Sequence, residues 1–321
     1  MNRIKIAHLP TKIESMPRLS KVLGGPKLFV KRDDQTGLAF GGNKTRKLEF
    51  LLAEAQSNGA QTVITTGAVQ SNHCRQTAAA AARFGYECIL VLTGKRPEQL
   101  NGNLLLDHLF GAKIIWVKDQ EQRDTILNAT FEHTTGEGKR PYLVPYGGSN
   151  PTGVLGYTYA IEEFIDQGLE ANWFVVASSS GGTQAGMELG KHIFGYKGNI
   201  LGISVDEEQR VLQQRVAKLA SSASEIIGQP TSFAPNDILV NADYCKAGYG
   251  IMTESEREAI GLFAKYEGLL IDPVYTGRAA GALIDLIRLG HFKKDDVVLF
   301  WHTGGLPALF AENYQSLIIR E

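Results

Sequence analysis

The stretch GLAFGGNKTRKLEF, residues 37–50, puts two lysines and an arginine into the four residues from Lys44 to Lys47, directly behind the pair Gly41–Gly42. A helix starting there carries cations where its dipole is already positive, which is unfavourable unless an anion binds at the same end. A second stretch could hold that anion. In WFVVASSSGGTQAGMELG, residues 173–190, an apolar run leads into Ser178, Ser179, Ser180, Gly181, Gly182 and Thr183 and then into a helix-compatible segment. Glycines let backbone N–H groups approach an anion, hydroxyls add donors, and a helix N-terminus adds positive potential, so the loop reads as a phosphate cradle. A flexible turn between strand and helix is the alternative. It is not a Walker A loop, because no Lys-Ser/Thr closes it, and 181–186 reads Gly-Gly-Thr-Gln-Ala-Gly rather than G-x-G-x-x-G. A third stretch, GAVQSNHCRQTAA from Gly67, gathers Gln70, Ser71, Asn72 and His73 where a strand turns into an Ala-rich helix. Ser71 could be a helix N-cap without further role, or the loop could hold a substrate carboxylate. If Lys44 faces the cradle, its amine can form a Schiff base with an aldehyde cofactor, and Lys47, one helical turn on, can reach the phosphate. A solvated surface position is the alternative for either lysine.

These groups need a scaffold that brings residues 44, 71 and 178 together. Short β-branched runs recur at 62–66, 88–93, 113–117, 142–145, 173–177, 200–205 and 297–301, with helix-period segments such as 72–85 and 254–268 between several of them. Strands alternating with helices predict a parallel α/β architecture, whose ligands bind at the carboxyl ends of the strands. Thr253 and Glu256 have capping-box spacing, and Gly268 and Gly290 fall where helix C-terminal glycines belong. The polar segment 118–140 reads as a helix and loop at the surface. The spacing suggests a small domain over 48–158 and a larger one formed by 1–47 and 159–321, with a cleft between.

Composition excludes several classes of function. The chain has 321 residues, 43% of them hydrophobic, and 33 basic against 34 acidic side chains give a net charge of −1. A globular core is expected, and no field is present to attract nucleic acid or an anionic membrane surface. The start MNRIKIAHLPTKIE lacks the apolar core of a signal peptide, and no apolar run approaches a membrane span, so a cytoplasmic protein is expected. Cys74, Cys88 and Cys245 are an odd number without metal-ligand spacing; they read as reduced thiols, and no metal is expected.

Six motifs, GLAFGGNKTRKLEF, GAVQSNHCRQTAA, VPYGGSNPTGVLGY, SSSGGTQAGM, LLIDPVYTGRAAGALID and HTGGLPALF, run in this order from residue 37 to 310. Together they resemble the pyridoxal-phosphate enzymes of the 1-aminocyclopropane-1-carboxylate deaminase and D-cysteine desulfhydrase family. The resemblance implies pyridoxal 5′-phosphate as cofactor and fold type II, the tryptophan-synthase-β-like fold with two three-layer parallel-sheet domains. A homodimer and a small amino-acid substrate are implied as well. It further implies that Lys44 is the Schiff-base lysine, that Lys47 and the 178–183 loop hold the phosphate, and that Asn72 contacts the phenolic oxygen. Ser71, Asn72 and His73 would bind the substrate carboxylate, Tyr249 and Tyr275 would face the substrate, and His302 and Thr303 would close the site. An amphipathic core role for the tyrosines and a core histidine at 302 are the alternatives. In the cyclopropane deaminases a glutamate follows the second tyrosine and salt-links the pyridine nitrogen. Here that residue is Thr276, whose hydroxyl is expected to donate to the nitrogen instead. This difference, with His73 after Ser-Asn, resembles the D-cysteine desulfhydrase branch, with cyclopropane deamination and sulfite elimination from cysteate as alternatives. A nicotinamide-dependent dehydrogenase would leave Lys44 and Lys47 without a purpose, and a cofactor-carrying binding protein would show colour without turnover.

Overall fold

The computed structural model describes residues 2–318. Along Val297–Trp301, Val298 and Phe300 are buried in one core and Leu299 and Trp301 in another. A strand buried on both faces must be covered by two layers, which is the pattern expected of a parallel sheet between helices. The strands among the described residues are β1 (Ile13–Ser15), β2 (Lys27–Lys31), β3 (Thr62–Ala68), β4 (Glu87–Thr93), β5 (Lys113–Val117), β6 (Pro141–Leu143), β7 (Trp173–Ser178), β8 (Asn199–Ser204), β9 (Leu239–Asn241) and β10 (Val297–Trp301). Six form a sheet in the order β1-β2-β10-β7-β8-β9, parallel except for β1, and four form a second, all-parallel sheet in the order β5-β4-β3-β6.

The helices are α1 (Pro17–Leu23), α2 (Asn43–Ser57), α3 (Asn72–Phe84), α4 (Gly102–Leu109), α5 (Gln120–Gly136), α6 (Pro151–Asp166), α7 (Gly182–Phe194), α8 (Gln209–Ile226), α9 (Glu254–Glu267), α10 (Thr276–Arg288) and α11 (Glu312–Ile318). One face of the large sheet packs on α9 and α10 through Phe263, Leu283 and Ile284; the other packs on α6 and α7 through Tyr157, Phe164 and Met187. The small sheet buries Val63, Leu90 and Leu92 against α2 and α3. Its other side carries α5, the expected polar surface helix, in which only Thr130 and Thr134 are buried. The expected capping box is present at the start of α9, where Thr253 N–H donates to Glu256 at 2.8 Å, and Gly268 ends that helix at φ 64°. Cys74 and Cys88 are buried free thiols and Cys245 is half-buried. No helix among the described residues is long and apolar enough to cross a membrane.

The charge cluster of the opening stretch divides here. Arg46 is buried and turns away from its lysine neighbours toward Asp33 (2.9 Å) and Glu163 (2.9 Å). Asp33 also accepts from Thr11 (2.8 Å) and from the indole N–H of Trp301 (2.9 Å). Burial alone would raise the Asp33 carboxyl, but Arg46 and Lys31 outweigh it and hold it at about 2. The arginine is thus a structural cation with its own carboxylates.

Candidate active site

Three helices begin at one cleft. α2 enters it through Gly41 (φ 64°) and Gly42 (φ 127°), and neither position could carry a side chain: a Cβ on Gly41 would lie 2.1 Å from Asp34 O, and one on Gly42 2.5 Å from Gln76 Nε2. Gly42 has no side chain with which to cap α2. Gln76, reaching across from α3, accepts instead from Thr45 N–H (2.9 Å), the bond an N-cap would make, and also from Thr45 Oγ1 (2.8 Å). α3 starts where β3 ends, with Ser71 as its N-cap accepting from Cys74 N–H at 3.2 Å. The N–H groups of Asn72 and His73, in its first turn, have no carbonyl ahead of them to bond. α7 follows β7 through the Ser178–Ser180 run and Gly181, whose φ of 81° is left-handed.

Around this cleft the structure gathers Lys44, Ser71, Asn72, His73, Ser178, Ser179, Ser180, Gly181, Thr183, Tyr275 and Thr303. Asn43, Tyr146, Gly147 and Gly304 line it as well. Ser71 is both cap and cleft wall, so its two readings from sequence do not exclude each other. Lys47 lies beneath the cradle, with Nζ donating to Gly147 O (3.1 Å) and Ser149 Oγ (3.2 Å), and a Cβ on Gly182 would come within 3.0 Å of it. Tyr249 meets the cleft through Tyr275, hydroxyl to hydroxyl at 2.8 Å.

Three residues take places other than those expected. The Thr276 hydroxyl donates to the Asp272 carboxylate (2.6 Å) and accepts from Asp272 N–H (2.7 Å), so its single proton is committed within the turn and is not available to a ring nitrogen. Asp272 in turn accepts the N–H groups of Val274, Tyr275 and Thr276, closing the turn that presents Tyr275. His302 is a satisfied buried histidine: Nδ1 accepts from Gly304 N–H (3.2 Å), which leaves Nε2–H to donate to Leu270 O (3.0 Å). At His73 the Thr65 hydroxyl donates to Val144 O (2.8 Å), so the His73 Nε2–H donates to Thr65 (2.8 Å) and Nδ1 keeps a bare lone pair. Burial, then Lys44 and Lys47, push the imidazole well below its ordinary range. A neutral ring with that tautomer has no N–H for a carboxylate, so His73 can offer its backbone N–H but not its side chain.

The electrostatics of the cleft call for an anion. Among the described residues no acidic side chain lines it. Burial lowers the Lys44 ammonium to about 8, against the pull of Asp272. Burial, then Lys44, push Lys47 well below its usual value. Donors outnumber acceptors at Ser149 Oγ, on which Lys47 Nζ (3.2 Å), Gly182 N–H (3.2 Å) and Ser180 Oγ (2.8 Å) converge. Thr183 Oγ1 accepts from Asn43 Nδ2 (3.0 Å), which frees its proton, and Ser178 Oγ is buried with no protein partner. A phosphate fits this donor set, and an aldehyde beside Lys44 would meet an amine that loses its proton near 8, more readily than an exposed lysine.

Several of these groups escaped the sequence reading. Ser149 and Gly147 lie in the YGGSN segment, which bore on the resemblance without any of its residues being assigned a role. A Cβ on Gly147 would sit 2.3 Å from Ser180 Oγ, the kind of close approach that a Gly-Gly pair before a helix can signal. Gln76 gave no signal, because its partner is 31 residues away.

Comparison with known proteins agrees with this chemistry. Residues 4–304 match the family described as pyridoxal-phosphate dependent enzyme. The D-cysteine desulfhydrase of Salmonella typhi is 41% identical over 317 residues, covering 96% of this chain and 95% of the relative. That of Klebsiella pneumoniae has the same identity and coverage. A crystal structure described as an ACC deaminase homologue superposes with a TM-score of 0.91 at 37% identity, covering 99% of this chain and 95% of that one.

Proposed function

The chain belongs to the pyridoxal-phosphate dependent enzyme family, with its fold type II architecture, and from that premise we propose that it is a lyase that eliminates sulfide from D-cysteine. The observation that carries the reading is one cleft in which a lysine amine, a donor-rich cradle and a helix N-terminus meet, in a chain that shares 41% of its residues with relatives named for that activity. D-Cysteine and water would yield pyruvate, ammonia and hydrogen sulfide.

When bound, pyridoxal phosphate supplies an aldehyde that condenses with amines and an electron sink for charge developing at the adjacent carbon. The chain's own groups then have distinct tasks. Lys47, Ser180, Thr183 and the first N–H groups of α7 would hold the phosphate. Ser71 and the free N–H groups of α3 would hold the substrate carboxylate at the positive end of that helix. Lys44, whose ammonium burial disfavours and which lines the cleft beside the carboxylate site, is the group placed to take the proton from the substrate α-carbon. Burial and the Tyr249 hydroxyl push the Tyr275 hydroxyl well up, so it stays protonated and can hand a proton to the departing sulfur. Tyr249 would hold Tyr275 in that orientation.

The test is sulfide and pyruvate release from D-cysteine, L-cysteine, cysteate and 1-aminocyclopropane-1-carboxylate by the loaded enzyme. Sulfide with pyruvate from D-cysteine is expected. Formation of 2-oxobutanoate from the cyclopropane substrate without sulfide release from D-cysteine would overturn the assignment, and sulfite from cysteate at higher efficiency would change the leaving group. A homodimer and a cytoplasmic location are proposed on the family resemblance. The division into a small domain over 48–158 and a large one over 1–47 and 159–321 is proposed as well, and the small sheet, between residues 62 and 143, supports it.

A further inference from the structure

Asn103 stands behind the cleft, in the first turn of α4, and is fully buried. Its amide nitrogen donates to Gln70 O (2.9 Å) and to Asn72 Oδ1 (2.9 Å). The backbone carbonyl of Gln70 can only accept, so it fixes which end of the Asn103 amide carries the hydrogens. The second hydrogen then goes to Asn72, which must receive it on its oxygen. The Asn72 amide is therefore turned with Oδ1 toward α4 and keeps its Nδ2 hydrogens for the cleft that it lines. An asparagine amide has nearly the same shape either way round, but one end donates to an oxyanion and the other repels it.

The seat of Asn103 is itself closely fitted. Its backbone N–H donates to Gln70 Oε1 (2.8 Å), and Gln70 Nε2 donates to Asn101 Oδ1 (3.0 Å). A Cβ on Gly102 would stand 2.4 Å from Gln70 Oε1 and 3.1 Å from Pro307 O. The first turn of α4 is thus bound to the loop that carries Asn72 and approaches it closely at Gly102.

We propose that Asn103 is a positioning residue that sets the flip of the Asn72 amide, so that the site presents N–H donors to an oxyanion on the cofactor ring. The proposal rests on the reading of this cleft as the cofactor site. The test titrates cofactor-free protein with pyridoxal phosphate, following absorbance, for wild type, Asn72→Ala, Asn103→Leu and the double variant. Losing one charge-assisted hydrogen bond should weaken binding by roughly ten- to a hundredfold in Asn72→Ala, and Asn103→Leu should follow it in the same range. The double variant should bind within about twofold of Asn72→Ala, because Asn103 then has no amide to orient. Should Asn103→Leu not fold, Asn103→Ala is read in the same way. Unchanged affinity in the Asn103 variant, or a loss that persists in full on the Asn72→Ala background, overturns the proposal and leaves the cleft assignment intact. Unchanged affinity in Asn72→Ala overturns the role of Asn72 and the proposal with it.

Discussion

Replacing Lys47 by methionine should weaken the cofactor and strengthen the empty protein, two effects of opposite sign from one buried amine. Lys47 is fully buried, and its Nζ contacts Gly147 O (3.1 Å) and Ser149 Oγ (3.2 Å), with no carboxylate in ion-pair range among the described residues. Burial and Lys44 disfavour its ammonium. Lys47→Met keeps the apolar stem and removes that uncompensated group, so the cofactor-free protein should gain on the order of 1 kcal/mol. Gly147 O loses a donor in the exchange, but Ser149 Oγ remains at 3.4 Å. The loaded form loses a charge-assisted bond to phosphate, about 1.5–3 kcal/mol, or roughly ten- to a hundredfold in affinity. Urea denaturation of the cofactor-free protein measures the first effect and titration with pyridoxal phosphate the second. Sulfate, a dianion across the pH range, separates the charge from the ring. Because the native amine is depressed and an anion raises it again, sulfate binding takes up a proton and should tighten as pH falls, a dependence that should be weaker in Lys47→Met, where Lys44 alone remains to take up the proton. A variant that loses about 2 kcal/mol of stability while keeping wild-type affinity would show that Lys47 is a structural amine and refute this reasoning.

In the cofactor-free protein, the Lys44 amine should react with an amine-selective acylating reagent along a titration centred near 8, and a midpoint at the ordinary lysine value would mean that burial does not act on it. By the same shift, Lys44 binds fewer protons folded than unfolded between about 8 and the ordinary value, so its contribution makes the empty protein more stable as pH rises through that window. Thr276→Val should cost about 1–3 kcal/mol, because Asp272 N–H loses its buried acceptor, while the visible spectrum and affinity of the cofactor stay unchanged. A spectral change without loss of stability would return Thr276 to the ring nitrogen.

Five of the seven strands legible in the sequence, β3, β4, β7, β8 and β10, are apolar runs buried on both faces, a strong signal because helices cover both sheets; β5 and β6, at the margins of the small sheet, are only half-buried. β2 did not share that signal. Its central Leu28, Phe29 and Val30 are flanked by Lys27 and Lys31, and the buried Lys31 ammonium is received by Thr11 O (2.8 Å) and, from more than 130 residues away, by Glu163 (2.6 Å) and Gln167 (2.5 Å). β1 and β9, three residues each, are too short to carry a period. The site divides along the same line. Lys44, Ser71 and the 178–183 loop were legible because glycine, hydroxyl and cation types mark anion binding locally. Gln76, Ser149 and Asn103 were not, because each acts by a contact that only the tertiary fold creates. Thr276 misled for a related reason: it follows Tyr275 in sequence, yet it is the first residue of α10, and its hydroxyl answers to the turn behind it.

The cluster Lys44–Lys47 received two different solutions to one physical problem. Residues three apart share a helix face, so α2 turns Lys44 and Lys47 together toward the cleft, while Arg46 lies round the helix and points into the large core. There the protein supplies the counter-charge itself, with Asp33 and Glu163 bound to the guanidinium in a fixed geometry. At Lys47 it supplies neutral oxygens and surplus donors but no carboxylate. A buried cation left without its counter-ion is costly, and a fold that completes one such pair a single residue away has the means to complete the other. The donors gathered around Lys47 are ones that the charge of a phosphate would satisfy, and the glycines on both sides of it, at 42, 147 and 182, leave the room that such a group needs.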